Sequence, residues 1–170
     1  MEETMHNQLT PGDIKKMQEE IEYRKLVVRR EALEDVKEAR AQGDLSENFE
    51  YYAAKKFKNK NESRIRYLER MIRTAEIVSE ESGDDEVGMN NGVEVFFEED
   101  GETENYKIVT TVRQNSLEGL ISSESPLGKA LLGHKAGDRV FVDLGGGGGY
   151  YVVIRSIDKT RNGDDALRSF

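Results

Sequence analysis

Two long helical patterns separated by a very short link fill the first half of the chain. Apolar residues recur three, four or seven positions apart over Ile14–Ala39, and with three-four spacing over the later part of Tyr51–Ala75. Thr10-Pro11 can begin the first helix and Gly43 can end it, and the second pattern starts near Leu45. So short a link predicts that the helices pair antiparallel as a coiled-coil hairpin, with helices of about 30 residues that would be roughly 45 Å long.

Charge is divided unevenly along the chain. The net charge is −9, but residues 14–75 carry +4 and residues 76–170 carry −10. A basic helical segment favours contact with polyanions, whereas the acidic half is expected to meet protein. The chain has no Cys, which excludes disulfides and thiolate chemistry and fits a reducing cytoplasm. No segment resembles a signal peptide or a membrane span, so we expect a cytoplasmic protein.

The second half predicts a small α+β domain. A short helix is expected after Ser125-Pro126, with Ser as its cap and Pro at its first position. The strands lack long helical crossovers, which favours an antiparallel sheet with this one helix packed on it. The five glycines Gly145–Gly149 predict a hairpin turn, since no Lys or Ser/Thr follows them as in a phosphate loop. The predicted strands are Val93–Phe97, Tyr106–Val112, the short Gly119–Ser122, Arg139–Leu144 and Tyr150–Ile157.

These patterns divide the chain into four parts. Residues 1–78 form the hairpin and residues 93–158 form the sheet domain. Residues 79–92 are acidic and rich in Gly and Asn, which predicts a flexible linker between the two. Residues 159–170 are predicted to be a loose tail.

Several strings of residues resemble a known family. The segment Ala39–Lys55, with Gly43-Asp44-Leu45-Ser46-Glu47-Asn48 at its centre, is similar to the hairpin tip of the bacterial Gre transcript-cleavage factors, the GreA branch in particular. The segments Met17–Tyr23, Glu62–Glu69 and Ser125–Asp138 also resemble this family. The sequence departs from the family at Arg24 in the first apolar stripe, at Phe49, where a small residue is usual, and at the five glycines.

The resemblance implies a transcription elongation factor with no active site and no cofactor of its own. Its second domain would be FKBP-like and would dock on RNA polymerase beside the secondary channel, through Glu124 and Pro126. The coiled coil would enter the channel and stimulate cleavage of backtracked nascent RNA by the polymerase's own Mg²⁺-dependent centre. Arg40, Lys55 and Lys56 would contact RNA phosphates, and the free protein is expected to be a monomer.

Asp44 and Glu47 are the predicted catalytic and metal-binding residues at the tip. Transcript hydrolysis uses two metal ions and an attacking water, and Mg²⁺ is held by a few carboxylates completed by water and phosphates. Our hypothesis is that both acids share a Mg²⁺ with the polymerase. The same residues also have the form of a capping box, in which Asp44 would cap the second helix. The flanking Arg40, Lys55 and Lys56 could equally be a solvated coiled-coil face.

Other interpretations remain open at this point. A Gre-like protein could occupy the channel and inhibit, although the intact acid pair argues against this. An FKBP-like prolyl isomerase or chaperone would need an aromatic-lined pocket. A plain coiled-coil scaffold would tolerate any change at the tip. Glu124 and Pro126 could simply cap a helix, and Tyr51 and Tyr52 could stack on a base or pack the hairpin's end. The candidate pocket residues are Phe96, Phe97, Tyr106, Phe141, Tyr150 and Tyr151.

Overall fold

A computed structural model describes residues 7–42 and 48–169. These divide into two compact units, a hairpin unit of residues 14–75 and a sheet unit formed by residues 7–13 together with residues 76–169. The hairpin is therefore an insertion between two segments of the sheet unit. None of the helices in the described ranges is long and apolar enough to cross a membrane.

The hairpin unit confirms the predicted antiparallel pair of helices. Its first arm consists of α1 (Pro11–Tyr23), a π-helical turn (Arg24–Val28) and α2 (Arg29–Ala41), and its second arm is α3 (Phe49–Arg73). Ion pairs join the arms, with Arg29 Nη2 lying 2.8 Å from Glu62 Oε1 and Lys25 Nζ lying 2.8 Å from Glu69 Oε1. The residues buried along the hairpin are small in α2 and larger in α3. They are Ala32 and Ala39 in α2, and Ile65, Leu68 and Met71 in α3.

A polar layer crosses the seam where the apolar stripe of the first arm is interrupted. Arg24 donates to Asn61 Oδ1 at 3.0 Å and to Glu20 Oε2 at 2.8 Å, and Arg64 donates to both Glu20 oxygens at 2.8 and 3.2 Å. Asn61 and Arg64 are buried. The backbone N–H of Arg29 reaches the carbonyl of Arg24, as in a π turn, so this layer coincides with the local widening of the helix.

The main sheet of the sheet unit has five strands, namely β3 (Gly92–Phe97), β4 (Glu102–Val109), β5 (Leu120–Ser122), β6 (Arg139–Gly145) and β7 (Gly148–Asp158). Their spatial order is β5-β4-β3-β7-β6. All neighbours pair antiparallel except β4 and β5, which pair in parallel. The predicted α+β class is confirmed, and the parallel pair was not expected. It arises because residues 110–119 carry the chain back through two short 3₁₀ turns before β5 begins.

The core of this unit lies between one face of the sheet and a short helix, α4 (Pro126–Leu131). Leu131 is buried together with Val95 and Ile154 from the central strands. A separate pair of two-residue strands, β1 (Gln8–Leu9) and β2 (Glu76–Ile77), lies where the chain leaves the unit for the hairpin and returns from it. The predicted glycine turn is present between β6 and β7, and Gly145, Gly146 and Gly147 all have positive φ.

The segment predicted as a linker, 79–92, instead belongs to the sheet unit. Val87 and Met89 are buried in its core, and the backbones of Glu86 and Lys135 pair in an isolated antiparallel β-bridge. Val87 and Met89 are two positions apart, so their side chains lie on the same side of an extended chain. This spacing predicts packing better than the acidic composition of the segment predicts flexibility. The segment therefore packs instead of serving as a flexible spacer.

The end of the chain, predicted to be a loose tail at 159–170, is also held by specific contacts as far as it is described. Lys159 Nζ donates to Ser82 Oγ at 2.6 Å and to Asn91 Oδ1 at 2.8 Å. Two buried cations bind the tail at Asp165. Lys107 donates to the Asp165 carboxylate, and Arg113 donates to the Asp165 backbone carbonyl. Buried cations need such partners, and these partners fix the tail.

Candidate functional site at the end of the helical hairpin

Asn48 ties the two arms of the hairpin together at the described end of α3. Its Oδ1 accepts a 3.0 Å hydrogen bond from the Tyr51 backbone N–H, which makes it the N-cap of α3. Its Nδ2 donates a 2.6 Å hydrogen bond to the carbonyl of Ala39 in α2. One carboxamide thus satisfies both the start of α3 and a carbonyl in the last turn of α2. The predicted tip acids Asp44 and Glu47 lie in the segment 43–47, outside the described residues.

The described start of α3 is four residues later than the sequence predicts. The sequence allowed Asp44 to cap a helix starting near Leu45, but α3 begins at Phe49 and its cap is Asn48. The capping-box interpretation itself falls on Asp44 and Glu47, which lie outside the described residues. The signal for the correct cap was available, because Asn directly before a helical pattern is a preferred N-cap residue.

Positive charge surrounds Tyr51, one turn into α3. Arg40 Nη2 donates to the Tyr51 hydroxyl at 3.3 Å, and its guanidinium carbon lies 5.5 Å from the centre of the ring. The pKa of Tyr51 is lowered, chiefly by this hydrogen bond and further by the charges of Lys55, Arg40 and Lys58, while burial acts in the opposite direction. Tyr51 therefore packs the end of the hairpin, and a basic cluster from both arms faces it.

The predicted phosphate contacts fall on two stripes of the hairpin surface. Arg40 and Lys55 belong to the basic cluster around Tyr51, together with Lys58. Lys56 is exposed on a neighbouring stripe of α3, in line with Tyr52. Arg64, further along α3, is buried in the polar layer of the seam and is not available on this surface.

No group of three or more His, Cys, Asp or Glu side chains in the ranges 7–42 and 48–169 is arranged to hold a metal ion. The predicted metal ligands Asp44 and Glu47 lie in the segment 43–47, outside the described residues, so the shared Mg²⁺ stays a prediction. Their carboxylate oxygens are of the type that Mg²⁺ prefers, and two carboxylates leave most of its coordination to water, phosphates or other protein groups.

The predicted docking residues Glu124 and Pro126 lie in the sheet unit, just before and at the start of α4. Glu124 Oε2 accepts a 2.8 Å hydrogen bond from Thr111 Oγ1. Ser125 caps α4 by accepting from the Gly128 backbone N–H at 3.1 Å, and Pro126 is exposed at the first helical position. A Cβ atom at Gly128 would lie 2.1 Å from the carbonyl oxygen of Ser122, so only glycine fits there. Ser125 performs the capping, which leaves Pro126 available on the surface.

The aromatic residues of the sheet divide between its two faces. Phe97 lies 6.3 Å from Tyr106 and 5.9 Å from Tyr150, ring centre to ring centre, and all three pack against the core. On the other face Phe141 contacts Tyr151 with ring centres 5.1 Å apart, and the guanidinium of Arg139 lies 3.6 Å from the centre of the Tyr151 ring. Phe96 is covered by Arg155. Phe97, Tyr106 and Tyr150 thus form one group on the core side of the sheet, while the other three rings do not join it. This division weakens the argument that all six candidate residues line one pocket of a prolyl isomerase.

Comparisons with known proteins match both parts of the chain. Residues 7–77 match the family model described as "Transcription elongation factor, N-terminal", and residues 81–159 match "Transcription elongation factor, GreA/GreB, C-term". The transcription elongation factor GreA of Halalkalibacterium halodurans is 45% identical over 86% of this chain and 92% of its own length. GreA of Geobacillus kaustophilus is 47% identical over 82% and 89%. Among solved structures, GreA factor homolog 1 of Thermus thermophilus is 30% identical over 89% and 98%, with a TM-score of 0.41.

Proposed function

Because the chain belongs to the GreA/GreB family of transcription elongation factors, we propose that it binds RNA polymerase and stimulates cleavage of the nascent RNA in backtracked complexes. The reaction takes place at the catalytic centre of the polymerase, and this chain contributes side chains to it without having an active site of its own. It acts in the cytoplasm as a monomer. The arrested complex then resumes elongation from the new RNA 3′ end.

The two units have different functions in this proposal. The sheet unit docks on the polymerase beside its secondary channel, with exposed Pro126 and the neighbouring Glu124 in the contact. The hairpin unit enters the channel, and its seam of buried apolar residues closed by interhelical ion pairs keeps it a slender two-helix rod. Its net positive charge suits a channel that also contains RNA.

At the end of the hairpin, the acidic side chains act on the reacting bond and the basic side chains bind the RNA. Asp44 and Glu47 approach the scissile phosphodiester and orient a water molecule for attack. Mg²⁺ bound there supplies Lewis-acid activation of that water. Arg40 and Lys55 hold the phosphates of the backtracked RNA, and Asn48 keeps the ends of α2 and α3 together next to the acid-bearing segment.

The observation that most supports this proposal is the basic cluster at the hairpin's end, one turn beyond Asn48. Arg40 of α2 reaches across to α3, where its guanidinium donates to the Tyr51 hydroxyl at 3.3 Å, and exposed Lys55 follows one turn further along α3. Cations of both arms are therefore present at the hairpin's end. A site that receives a phosphate chain next to two carboxylates needs such cations, because the RNA and the acids repel each other.

Purified, backtracked RNA polymerase provides the test. Asp44→Asn and Glu47→Gln should bind the polymerase as tightly as the parent chain but lose at least about 100-fold in cleavage rate, the scale expected for removing a group that orients the nucleophile. Glu50→Gln, a neighbouring exposed acid of α3, is the matched control and should cleave normally. Undiminished cleavage by both tip variants would refute the role of the acids. Binding without any stimulation by the parent chain would instead favour the inhibitor interpretation.

A further inference from the structure

An outward-facing stripe of two aromatic rings and a lysine begins at the first residue of α3. Phe49 is 85% exposed and Tyr52 is 51% exposed, and Lys56 is exposed one turn further along. Positions i, i+3 and i+7 lie on one face of an α-helix, so the three side chains follow one another along the surface. We call Phe49, Tyr52 and Lys56 the outer stripe.

The packing of the hairpin does not account for the outer stripe. The seam of α3 is formed by Ile65, Leu68 and Met71, and the helical periodicity places the outer stripe on the opposite side of the helix. Single exposed apolar residues are common on protein surfaces. Here, however, two large rings follow each other directly at the end of the arm that is proposed to meet RNA. Phe49 also stands where the family resemblance leads one to expect a small residue.

The helix start that carries the two rings is held in place by Asn48. Phe49 is the first residue of α3, which Asn48 caps through the Tyr51 N–H and ties to the Ala39 carbonyl of α2. Tyr52 packs edge-on against Tyr51, with ring centres 5.6 Å apart. Rigid aromatic groups lose little conformational entropy when a partner stacks on them.

The chemistry of the outer stripe and its surroundings selects unpaired RNA. Proteins that bind single strands combine aromatic side chains, on which bases stack, with cations that contact the phosphates. Lys56 continues the outer stripe, and the basic cluster of Arg40, Lys55 and Lys58 lies beside it on the hairpin. The hairpin is the cationic part of an otherwise acidic chain, +4 against −10 for residues 76–170. A protein surface could also receive the two rings, but the excess of cations around them favours a polyanion.

We infer that the outer stripe is a base-stacking site for the displaced 3′ segment of the transcript, with Phe49 and Tyr52 stacking on bases and Lys56 contacting a phosphate. This inference rests on the proposed function and adds to it a contact with the bases of the RNA. It makes the factor sensitive to the base, in addition to the charge, of the nucleotides near the scissile bond. Purines, which stack more strongly, are then cleaved off faster than pyrimidines.

The test compares cleavage of a normal transcript with cleavage of one that carries an abasic nucleotide at each of its last three positions in turn. The factor is the full chain, as the parent or as Phe49→Ala, and the polymerase is backtracked by the same register in every case. Tyr23→Ala is the matched control, because Tyr23 is 58% exposed on α1 and lies outside the outer stripe. Alanine favours helix at each position, so folding is preserved, and circular dichroism verifies it.

Phe49→Ala should slow cleavage of the normal transcript about five- to tenfold, the lower end of what base stacking on an aromatic side chain contributes. Affinity for the polymerase should not change. With the parent protein, an abasic nucleotide at one of the three positions should slow cleavage by about the same fivefold to tenfold. It should not slow cleavage by Phe49→Ala any further, because the abasic nucleotide and the substitution remove the same contact. Tyr23→Ala should behave like the parent on every transcript.

Three results would overturn the inference. Equal rates for Phe49→Ala and the parent would show that the ring has no partner. Slowing by Phe49→Ala that is the same on normal and abasic transcripts, or that appears as weaker polymerase binding, would assign the ring to a protein surface. If the parent chain itself fails to stimulate cleavage, the proposed function fails and the stacking site fails with it. That last result differs from the first two, in which the parent is active.

Discussion

The Asn48 side chain donates a 2.6 Å hydrogen bond to the carbonyl oxygen of Ala39, nine residues earlier in the chain. Ala39 is buried in the seam and belongs to the last turn of α2, where its carbonyl also accepts a 3.3 Å hydrogen bond from the Gln42 backbone N–H. The same carboxamide caps α3 through its oxygen. Asn48 therefore fixes the distance between the points where the chain enters and leaves the acid-bearing segment.

Replacement of Asn48 separates its two roles. Asn48→Asp keeps the oxygen that caps α3 but loses the donor to Ala39 and places a charged oxygen near a carbonyl. Asn48→Ala loses both contacts and should lower the free energy of unfolding of the hairpin by about 1 kcal/mol, as for other N-cap deletions. We expect both variants to reduce cleavage, and Asp to do so with a smaller loss of helix stability.

Urea unfolding followed by circular dichroism, together with cleavage of backtracked RNA, measures these effects. Asn59→Asp, at an exposed position further along α3, introduces the same charge without touching the hairpin's end. Normal cleavage by Asn48→Asp would show that the bond to Ala39 has no functional consequence.

The basic cluster predicts a salt-dependent loss of activity. Replacing Arg40 and Lys55 by Gln should weaken the productive engagement of RNA, since both residues face the same phenol at the hairpin's end. For single strands, the logarithm of the binding constant falls with the logarithm of the salt concentration with a slope of about −0.7 for each phosphate neutralised. Loss of two such contacts should therefore make the slope of the double variant shallower than that of the parent by up to about 1.4.

Cleavage measured between low and physiological salt at saturating factor tests this expectation. Lys15 and Lys16, exposed on α1 away from the hairpin's end, provide a control pair with the same change in charge. A similar change of slope in both double variants would mean that only the net charge of the hairpin matters.

Glu20 should make the stability of the hairpin depend on pH. Burial raises its pKa, but hydrogen bonds and charges from Arg64 and Arg24 together lower it below the ordinary value. A carboxyl whose pKa is depressed by folding stabilises the folded state above its unfolded pKa, about 4.3 for Glu. That contribution is lost as the pH falls through the folded value.

Unfolding of the full chain by urea at pH 7 and at successively lower pH values checks this sign. Glu20→Gln should cost about 2 kcal/mol at pH 7, because it removes charge-assisted hydrogen bonds, and should show a smaller decline in stability below about pH 4.5 than the parent chain. Glu19→Gln changes an exposed neighbouring carboxylate and serves as the control. Equal pH profiles for the parent and Glu20→Gln would contradict the assignment.

The tail contact predicts a large effect at Asp165 and none at its neighbour. Lys107 is 3% exposed, and its ammonium binds the Asp165 carboxylate and the Asn162 carbonyl. Asp165→Ala leaves a buried cation without its counter-charge and should destabilise the sheet unit by about 3 kcal/mol. Asp164→Ala, an exposed acid one residue earlier, should be neutral.

Thermal unfolding of both variants, read through a signal of the sheet, compares them directly. A Lys107→Met change combined with Asp165→Ala should recover part of the lost stability, since the unpaired buried charge is then absent. No recovery would indicate that Asp165 acts through the backbone of the tail instead.

The sequence predicted what depends on local periodicity and failed where distant residues decide. Apolar spacing alone identified both arms of the hairpin, and Ser125-Pro126 identified the start of α4. Arg24 looked like an interruption of the stripe because its partners Glu20 and Asn61 come together only after the arms pair. Val87 and the tail were misjudged for the same reason, since the core of the sheet and the buried cation Lys107 are assembled from remote segments.

At the candidate site, the residue types were evident but their arrangement was not. The basic residues Arg40 and Lys55 could be named from the sequence, whereas their convergence on Tyr51 depends on the register between α2 and α3. The exposure of Phe49 could not be inferred, because a helix start near Leu45 would have changed the environment of the ring.

Both segments that flank the hairpin belong to one compact unit. The chain leaves this unit after residue 13 and returns to it at residue 76. The short parallel pair of β1 and β2 closes that gap, with Leu9 opposite Ile77. The inserted residues are 14–75, whereas Asp13 stays with the sheet unit, where it accepts hydrogen bonds from Thr110 and Arg113. We therefore expect that a Gre-like factor with other side chains at its tip can evolve, or be engineered, by replacing residues 14–75 alone.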